Sequence, residues 1–132
     1  MKAKKSLGQN FLINTEILSN IVNLGDISND DVILEIGPGT GNLTKKILEK
    51  KPKDLIVIEK DNKLASILKN KYGDHLNIIN KDILDCFDDL KFDQPLKIYG
   101  NLPYNISTKI LLSFLKINNL KSFCKKFIFI FQ

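Results

Sequence analysis

Two short segments of this 132-residue chain carry residue types that suit a single reaction. Gly37–Gly41 reads GPGTG, and glycines in such a turn let backbone N–H groups approach a ligand closely. Asn101–Tyr104 reads NLPY and begins sixty residues after Gly41. Its amide and carbonyl oxygens can accept the protons of an exocyclic amine, and its aromatic ring can stack on a base. The pair therefore predicts methyl transfer from S-adenosylmethionine (SAM) to the amine of a nucleobase.

The second segment compensates for the poor nucleophilicity of an adenine amine, whose lone pair is delocalised into the ring. The side-chain oxygen of Asn101 and the carbonyl of Leu102 can accept its two protons and aim the lone pair at the methyl group. Pro103 stiffens the turn, and Tyr104 offers a face to the base. Asn101, Leu102 and Tyr104 are therefore the predicted catalytic residues. The alternative is an ordinary proline-containing turn with one core tyrosine.

Acidic side chains follow two of the predicted strands at positions that suit the cofactor. Glu59 lies twenty-two residues after Gly37 and is expected to accept hydrogen bonds from both ribose hydroxyls. Asp82 can accept the adenine amine, while Ile83 offers an apolar side to the ring. The glycine spacing departs from that of dinucleotide sites and favours a nucleoside that carries an amino acid. A tight turn and a solvated acidic run remain the alternatives.

Alternating apolar runs and helical patterns predict the elements that position these residues. The strands are expected at 32–36, 55–58, 76–79, 96–99 and 127–131, and the helices at 15–24, 42–51, 61–72 and 106–115. This rhythm predicts an α/β fold with a doubly wound parallel sheet, and residues 81–89 form an acidic loop. The apolar strand at 127–131 needs cover on both faces, so residues 1–132 are expected to be the N-terminal portion of a larger fold.

Composition limits the remaining possibilities. The apolar fraction of 43% fits one soluble globular domain, and no long apolar run predicts a signal peptide or a membrane span. All twenty basic residues are lysine and the net charge is +5, which suits approach to phosphate or, alternatively, only a solvated face. Cys86 and Cys124 lack metal-ligand spacing, so we expect no metal site and a reducing, cytoplasmic location.

Three segments together resemble the motifs of the ribosomal RNA adenine dimethyltransferase family. They read KSLGQNFL at 5–12, EIGPGTGNLT at 35–44 and NLPYNIST at 101–108. The most similar branch dimethylates two adjacent adenines near the 3′ end of small-subunit (16S) ribosomal RNA. The resemblance implies a Rossmann-like, SAM-dependent enzyme of ribosome maturation, a monomer whose partner is small-subunit ribosomal RNA or the immature small ribosomal subunit.

The residues and the resemblance together assign the site. Cofactor contacts are predicted for Gln9, Asn10, Leu12, Gly37, Gly39, Gly41, Glu59, Lys60, Asp82, Ile83 and Asn101. The chain departs from the family at Lys109, where proline is usual. The family also continues beyond Gln132 into further strands and a helical RNA-binding domain, which is absent here. Two alternatives stay open: an inactive fragment that at most binds SAM or ribosomal RNA, and an amine methyltransferase acting on DNA or protein.

Overall fold

The structure is a computed structural model that describes residues 14–117 and 120–131. In these ranges the helices are α1 (Thr15–Asn23), α2 (Asn42–Glu49), α3 (Asn62–Tyr72), α4 (Ile83–Cys86), α5 (Tyr104–Leu115) and α6 (Leu120–Phe123), and the strands are β1 (Val32–Ile36), β2 (Asp54–Ile58), β3 (Asn77–Ile79), β4 (Leu96–Leu102) and β5 (Cys124–Phe131). The strands form one sheet in the order β3-β2-β1-β4-β5, and every neighbouring pair is parallel. This confirms the predicted α/β fold.

The order of the strands determines where a ligand can bind. The chain runs outward from β1 through β2 to β3, then returns to pair β4 with the other side of β1. The register places Ile36 opposite both Ile58 and Gly100, so the carboxyl ends of three strands lie side by side. Open α/β sheets bind ligands where the strand order reverses in this way. The glycine turn after β1 and the segment at the end of β4 therefore meet at one edge.

Helices cover both faces of the sheet, as a doubly wound fold requires. The first face buries Leu18, Val22, Leu43, Ile47 and Leu68 of α1, α2 and α3 against Ile33, Leu55, Val57 and Tyr99. The second face buries Ile83, Cys86, Ile110 and Phe114 of α4 and α5 against Leu34, Ile36, Ile56, Ile58 and Ile98. Each central strand is therefore buried on both sides, which explains its nearly continuous apolar sequence.

Two predicted boundaries near the NLPY segment differ in the structure. β4 extends through Leu102 because Asn101 pairs with Ile130 and Leu102 with Phe131 of β5. Asn101 and Leu102 therefore belong to a strand end and not to a turn. α5 begins at Tyr104, two residues earlier than predicted, with Pro103 as its N-cap.

Two other predictions of local structure were wrong. The segment 81–89 contains α4 and a 3₁₀ turn at Phe87–Asp89, because Asp82 caps the helix by accepting the Leu84 N–H at 3.0 Å. β5 begins at Cys124, three residues before its predicted start, directly after the short helix α6.

The amino edge of the sheet is held by charged groups. Asp31 is 3% exposed and accepts hydrogen bonds from the Ser28 N–H at 2.8 Å, Lys97 Nζ at 2.7 Å and Lys125 Nζ at 3.2 Å. Burial alone raises the pKa of Asp31, but these hydrogen bonds outweigh it and lower the pKa to about 2. The cluster ties the loop before β1 to the starts of β4 and β5.

Candidate cofactor site at the carboxyl edge of the sheet

An open cavity of about 230 Å³ lies at the carboxyl edge, where the strand order reverses. Four chain segments contribute to its wall: the ends of β1 and β2, the start of α4, and the junction of β4 with α5. Its lining consists of Ile36, Gly37, Ile58, Glu59, Lys60, Lys81, Asp82, Ile83, Leu84, Leu102, Pro103 and Ile106. The cavity thus brings together predicted residues from both halves of the site.

The glycine turn forms one wall, and its backbone requires glycine. Gly37, Gly39 and Gly41 have φ angles of 68°, 59° and 91°, in the left-handed region that other residues rarely adopt. The Gly37 N–H donates to the Ile58 carbonyl at 2.9 Å, which ties the turn to β2. No atom lies within 4 Å of where a Cβ of Gly39 would stand, so a ligand can approach the backbone there. A Cβ on Gly41 would instead meet the Leu68 side chain of α3 at 2.7 Å.

Glu59 both lines the cavity and supports the turn. Its side chain is buried, with Oε1 accepting the Gly39 N–H at 3.1 Å and Oε2 accepting the Asp61 N–H at 3.0 Å. Its backbone carbonyl accepts the Asn80 amide at 2.8 Å. A carboxylate oxygen can accept more than one hydrogen bond, so these contacts leave capacity for ligand hydroxyls.

The segment after β3 contributes a second carboxylate and an apolar surface. Asp82 Oδ1 is fixed by its bond from the Leu84 N–H, and this cap orients the carboxylate at the cavity. Ile83 is 5% exposed and packs in the core of the second face. Lys60 and Lys81 are exposed and line the cavity beside the carboxylates.

The NLPY segment reaches the cavity through Leu102 and Pro103, whereas Asn101 and Tyr104 are not among the lining residues. Asn101 and Leu102 are partly buried, whereas the Tyr104 ring is 64% exposed at the first position of α5. The Leu102 carbonyl accepts the Ser107 hydroxyl at 3.4 Å. A carbonyl oxygen has two lone pairs and can accept more than one hydrogen bond. An exposed ring beside a carbonyl acceptor suits a planar base.

This arrangement agrees with comparison to known proteins. The family model described as ribosomal RNA adenine dimethylase matches residues 1–132. The chain belongs to this family. Among its relatives, the ribosomal RNA small subunit methyltransferase A of Pelagibacter ubique is 60% identical over 111 residues, which are 84% of this chain and 42% of that protein.

Solved structures of the family share the fold. A dimethyladenosine transferase from Plasmodium falciparum superposes with a TM-score of 0.69 and 29% identity, covering 88% of this chain and 42% of that one. The 23S rRNA methyltransferase ErmE gives a TM-score of 0.67 and 26% identity, covering 76% of this chain and 41% of that one. The chain spans about two fifths of the length of these relatives.

Some features of the site were missed by sequence reasoning, and some predictions lie outside the structure. Gln9, Asn10 and Leu12 fall outside the described residues. Sequence reasoning gave no role in the site to Lys81 or to the apolar side chains of the wall, namely Ile36, Ile58, Leu84 and Ile106. Leu84 offered a usable signal in the sequence, since it is an apolar residue within an acidic segment. In the structure its side chain is 38% exposed.

Glu35 of β1 is the most unusual group near the site, and its role was not predicted. It is 1% exposed; Oε1 accepts the Thr44 hydroxyl at 2.5 Å, and Oε2 is buried without a partner among the described residues. Burial raises the pKa of Glu35 to about 7, the Thr44 bond opposes the shift, and the charge of Glu59 adds to it. The available signal was a carboxylate inside the apolar run of β1.

The described ranges, 14–117 and 120–131, lack two kinds of feature. They contain no group of three or more histidine, cysteine, aspartate or glutamate side chains placed to hold a metal ion. None of the helices described there has the length and apolar character needed to cross a membrane.

Proposed function

We propose that this chain forms the cofactor-binding part of a SAM-dependent enzyme that dimethylates N6 of adjacent adenines in small-subunit ribosomal RNA during ribosome maturation. The observation that carries the proposal is the convergence of Glu59, Asp82 and Leu102 on one cavity at the reversal of strand order. Membership of the adenine dimethylase family supports the reaction type.

The residues of the cavity fit the parts of SAM. Glu59 would accept the ribose hydroxyls, and the Asp82 carboxylate would accept the adenine amine while Ile83 packs against the ring. The open backbone at Gly39 suits the amino-acid portion. When bound, SAM supplies a methyl group activated by its sulfonium sulfur.

The target amine would be positioned by the NLPY segment. Asn101 and the Leu102 carbonyl would accept its two protons, which localises the lone pair on nitrogen, and Tyr104 would stack on the extruded base. The proton released after methyl transfer can leave to water, so no general base is required. The monomethylated amine has one N–H left, so in a second transfer one of the two acceptors would hold that proton and the methyl group would take the place of the other.

We propose immature small ribosomal subunits in the cytoplasm as the substrate, with the protein acting as a monomer. The 5–12 motif supports RNA over DNA or protein as the target class, because the resemblance of that motif is to the RNA family. Lysine side chains suit contacts with phosphate without sequence selection. Preferential labelling of free DNA over the subunit would contradict this choice of substrate.

The test is single-turnover transfer of labelled methyl groups from SAM to immature small ribosomal subunits. Label on adenine N6 is the expected result, and label no higher than a protein-free blank would contradict the proposal for this chain. Saturable SAM binding without transfer would instead support the fragment that only binds cofactor. Asn101→Ala should lower turnover more than SAM affinity, whereas equal losses would assign Asn101 to binding alone.

A further inference from the structure

A hydrogen bond between the Glu35 and Thr44 side chains connects the two ends of the glycine turn. Glu35 lies two residues before Gly37, and Thr44 lies in the first turn of α2, three residues after Gly41. Both side chains are buried, at 1% and 0% exposure, and the Thr44 hydroxyl donates to Oε1. The bond therefore fixes α2 against β1 at the point where the turn leaves the strand and enters the helix.

Glu35 does not face the cavity that the turn helps to form. Side chains alternate between the faces of a strand, and Leu34 and Ile36 pack in the core beneath α4 and α5. Glu35 therefore points to the opposite face, where Thr44 of α2 meets it. Glu35 can therefore influence a ligand in the cavity through Thr44 and the turn, or through its charge interaction with Glu59.

No side-chain hydrogen bond caps the start of α2, because its N-cap is Gly41. Two other bonds hold the turn: the Gly37 N–H donates to the Ile58 carbonyl, and Glu59 Oε1 accepts the Gly39 N–H. The turn is thus held at its middle by Glu59 and at its ends by Glu35 with Thr44.

We propose that Glu35 is a positioning residue, which acts through its hydrogen bond with Thr44 to hold the glycine turn in the shape that meets the cofactor. The inference rests on the proposed SAM site. The hydrogen bond needs an acceptor oxygen and no charge, and the raised pKa of Glu35 agrees with a carboxyl that keeps its proton up to about neutral pH. Glutamine at position 35, whose side-chain amide is neutral, should therefore preserve the hydrogen bond with Thr44.

The test is a calorimetric titration of SAM into four forms of the full chain, each confirmed to be folded by circular dichroism. Thr44→Val keeps the shape of the side chain but removes the hydroxyl, and should weaken SAM binding about tenfold. Thr108→Val makes the same change in α5, where the hydroxyl donates to the Tyr104 carbonyl, and should leave affinity within about twofold. Glu35→Gln retains the acceptor oxygen and should also stay within about twofold.

The outcomes separate this inference from the proposed function. Saturable binding by the wild-type chain with equal affinity in Thr44→Val would overturn the positioning role and leave the SAM site standing. Glu35→Gln as weak as Thr44→Val would contradict a neutral hydrogen bond as the basis. Absence of wild-type binding would count against the SAM site itself.

A second measurement addresses positioning without any cofactor. Amide hydrogen exchange of residues 39–43 in the unliganded chain should become faster in Thr44→Val than in Thr108→Val. Unchanged exchange at these amides would overturn the inference whatever the titration shows. A role limited to global stability would accelerate exchange across the whole sheet equally.

Discussion

The two edges of the sheet shift the pKa of a buried carboxyl group in opposite directions. At the amino edge, Asp31 has three donors, two of them lysines, and its pKa is lowered to about 2. Near the carboxyl edge, Glu35 has one donor and a negative neighbour in Glu59, and its pKa is raised to about 7. The two residues are four positions apart, with Asp31 directly before β1 and Glu35 near the carboxyl end of that strand.

This difference in hydrogen bonding suggests that Asp31 serves the stability of the fold, whereas the groups at the other end of β1 serve ligand binding. Full pairing of the Asp31 carboxylate at the amino edge stabilises the fold. Near the carboxyl edge, Glu35 Oε2 is buried with no hydrogen-bond partner among the described residues, and the cavity there is lined by the carboxylates of Glu59 and Asp82. Both features cost free energy in the absence of a ligand. Substitutions at the two edges should therefore affect different measurements.

The largest effect is expected at the amino edge. Asp31→Asn removes the charge that pairs two lysines and should lower the free energy of unfolding by about 2–4 kcal/mol, measured by urea denaturation. Asp30→Asn is the matched control, because that neighbouring side chain is exposed. Because the folded pKa of Asp31 is depressed, its contribution is present above the ordinary value of 3.8 and is lost as the pH falls towards 2. If Asp31→Asn lost SAM affinity without losing stability, the assignment of Asp31 to stability would be contradicted.

The next effect belongs to the carboxyl edge. Glu59→Ala should weaken SAM binding by about 1–3 kcal/mol, because the ribose hydroxyls lose their acceptor and Gly39 loses its brace. Glu49→Ala removes an exposed carboxylate whose contact is Lys46 at 3.6 Å, and should leave binding unchanged. Calorimetry distinguishes the two, and unchanged affinity in Glu59→Ala would remove it from the ribose role.

The pH dependence of stability should differ in sign between the edges. The folded pKa of Glu35 is raised, so its contribution is present below its ordinary value of 4.5 and is lost as the pH rises to about 7. Glu35→Gln should remove that loss and raise the free energy of unfolding above pH 7 by about 1–2 kcal/mol relative to wild type. Parallel stability curves for the two proteins between pH 4.5 and 7 would show that Glu35 titrates normally.

The smallest effect compares two glycines that both have a positive φ angle. Gly39 and Gly73 have φ angles of 59° and 54°, and neither would place a Cβ within 4 Å of another atom. Alanine at either position should therefore cost about 1 kcal/mol of stability through backbone strain alone. Only Gly39→Ala should also weaken SAM binding, because its Cβ would stand where the ligand approaches. Equal affinities in the two variants would contradict a close approach to Gly39.

The sequence predicted the parts of this fold that local pattern determines. Apolar runs identified every strand, and the glycine turn and Glu59 were placed correctly at strand ends. Strand β4 was predicted too short because NLPY reads locally as a turn, whereas pairing of Asn101 with β5 extends it. Glu35 was missed because its burial depends on packing between β1 and α2, which no local pattern reports. Helix α4 was missed because four residues capped by Asp82 give no periodic signal.

The close approach of Gly37 to Leu102 limits how this site can change over generations. A Cβ on Gly37 would lie 2.4 Å from Leu102 Cδ2, so the cofactor turn and the target segment interlock although they are far apart in sequence. A larger residue at position 37 would be strained by its φ of 68° and would also require the Leu102 side chain to move. Substitutions at positions 37 and 102 are therefore expected to depend on each other as the sequence changes.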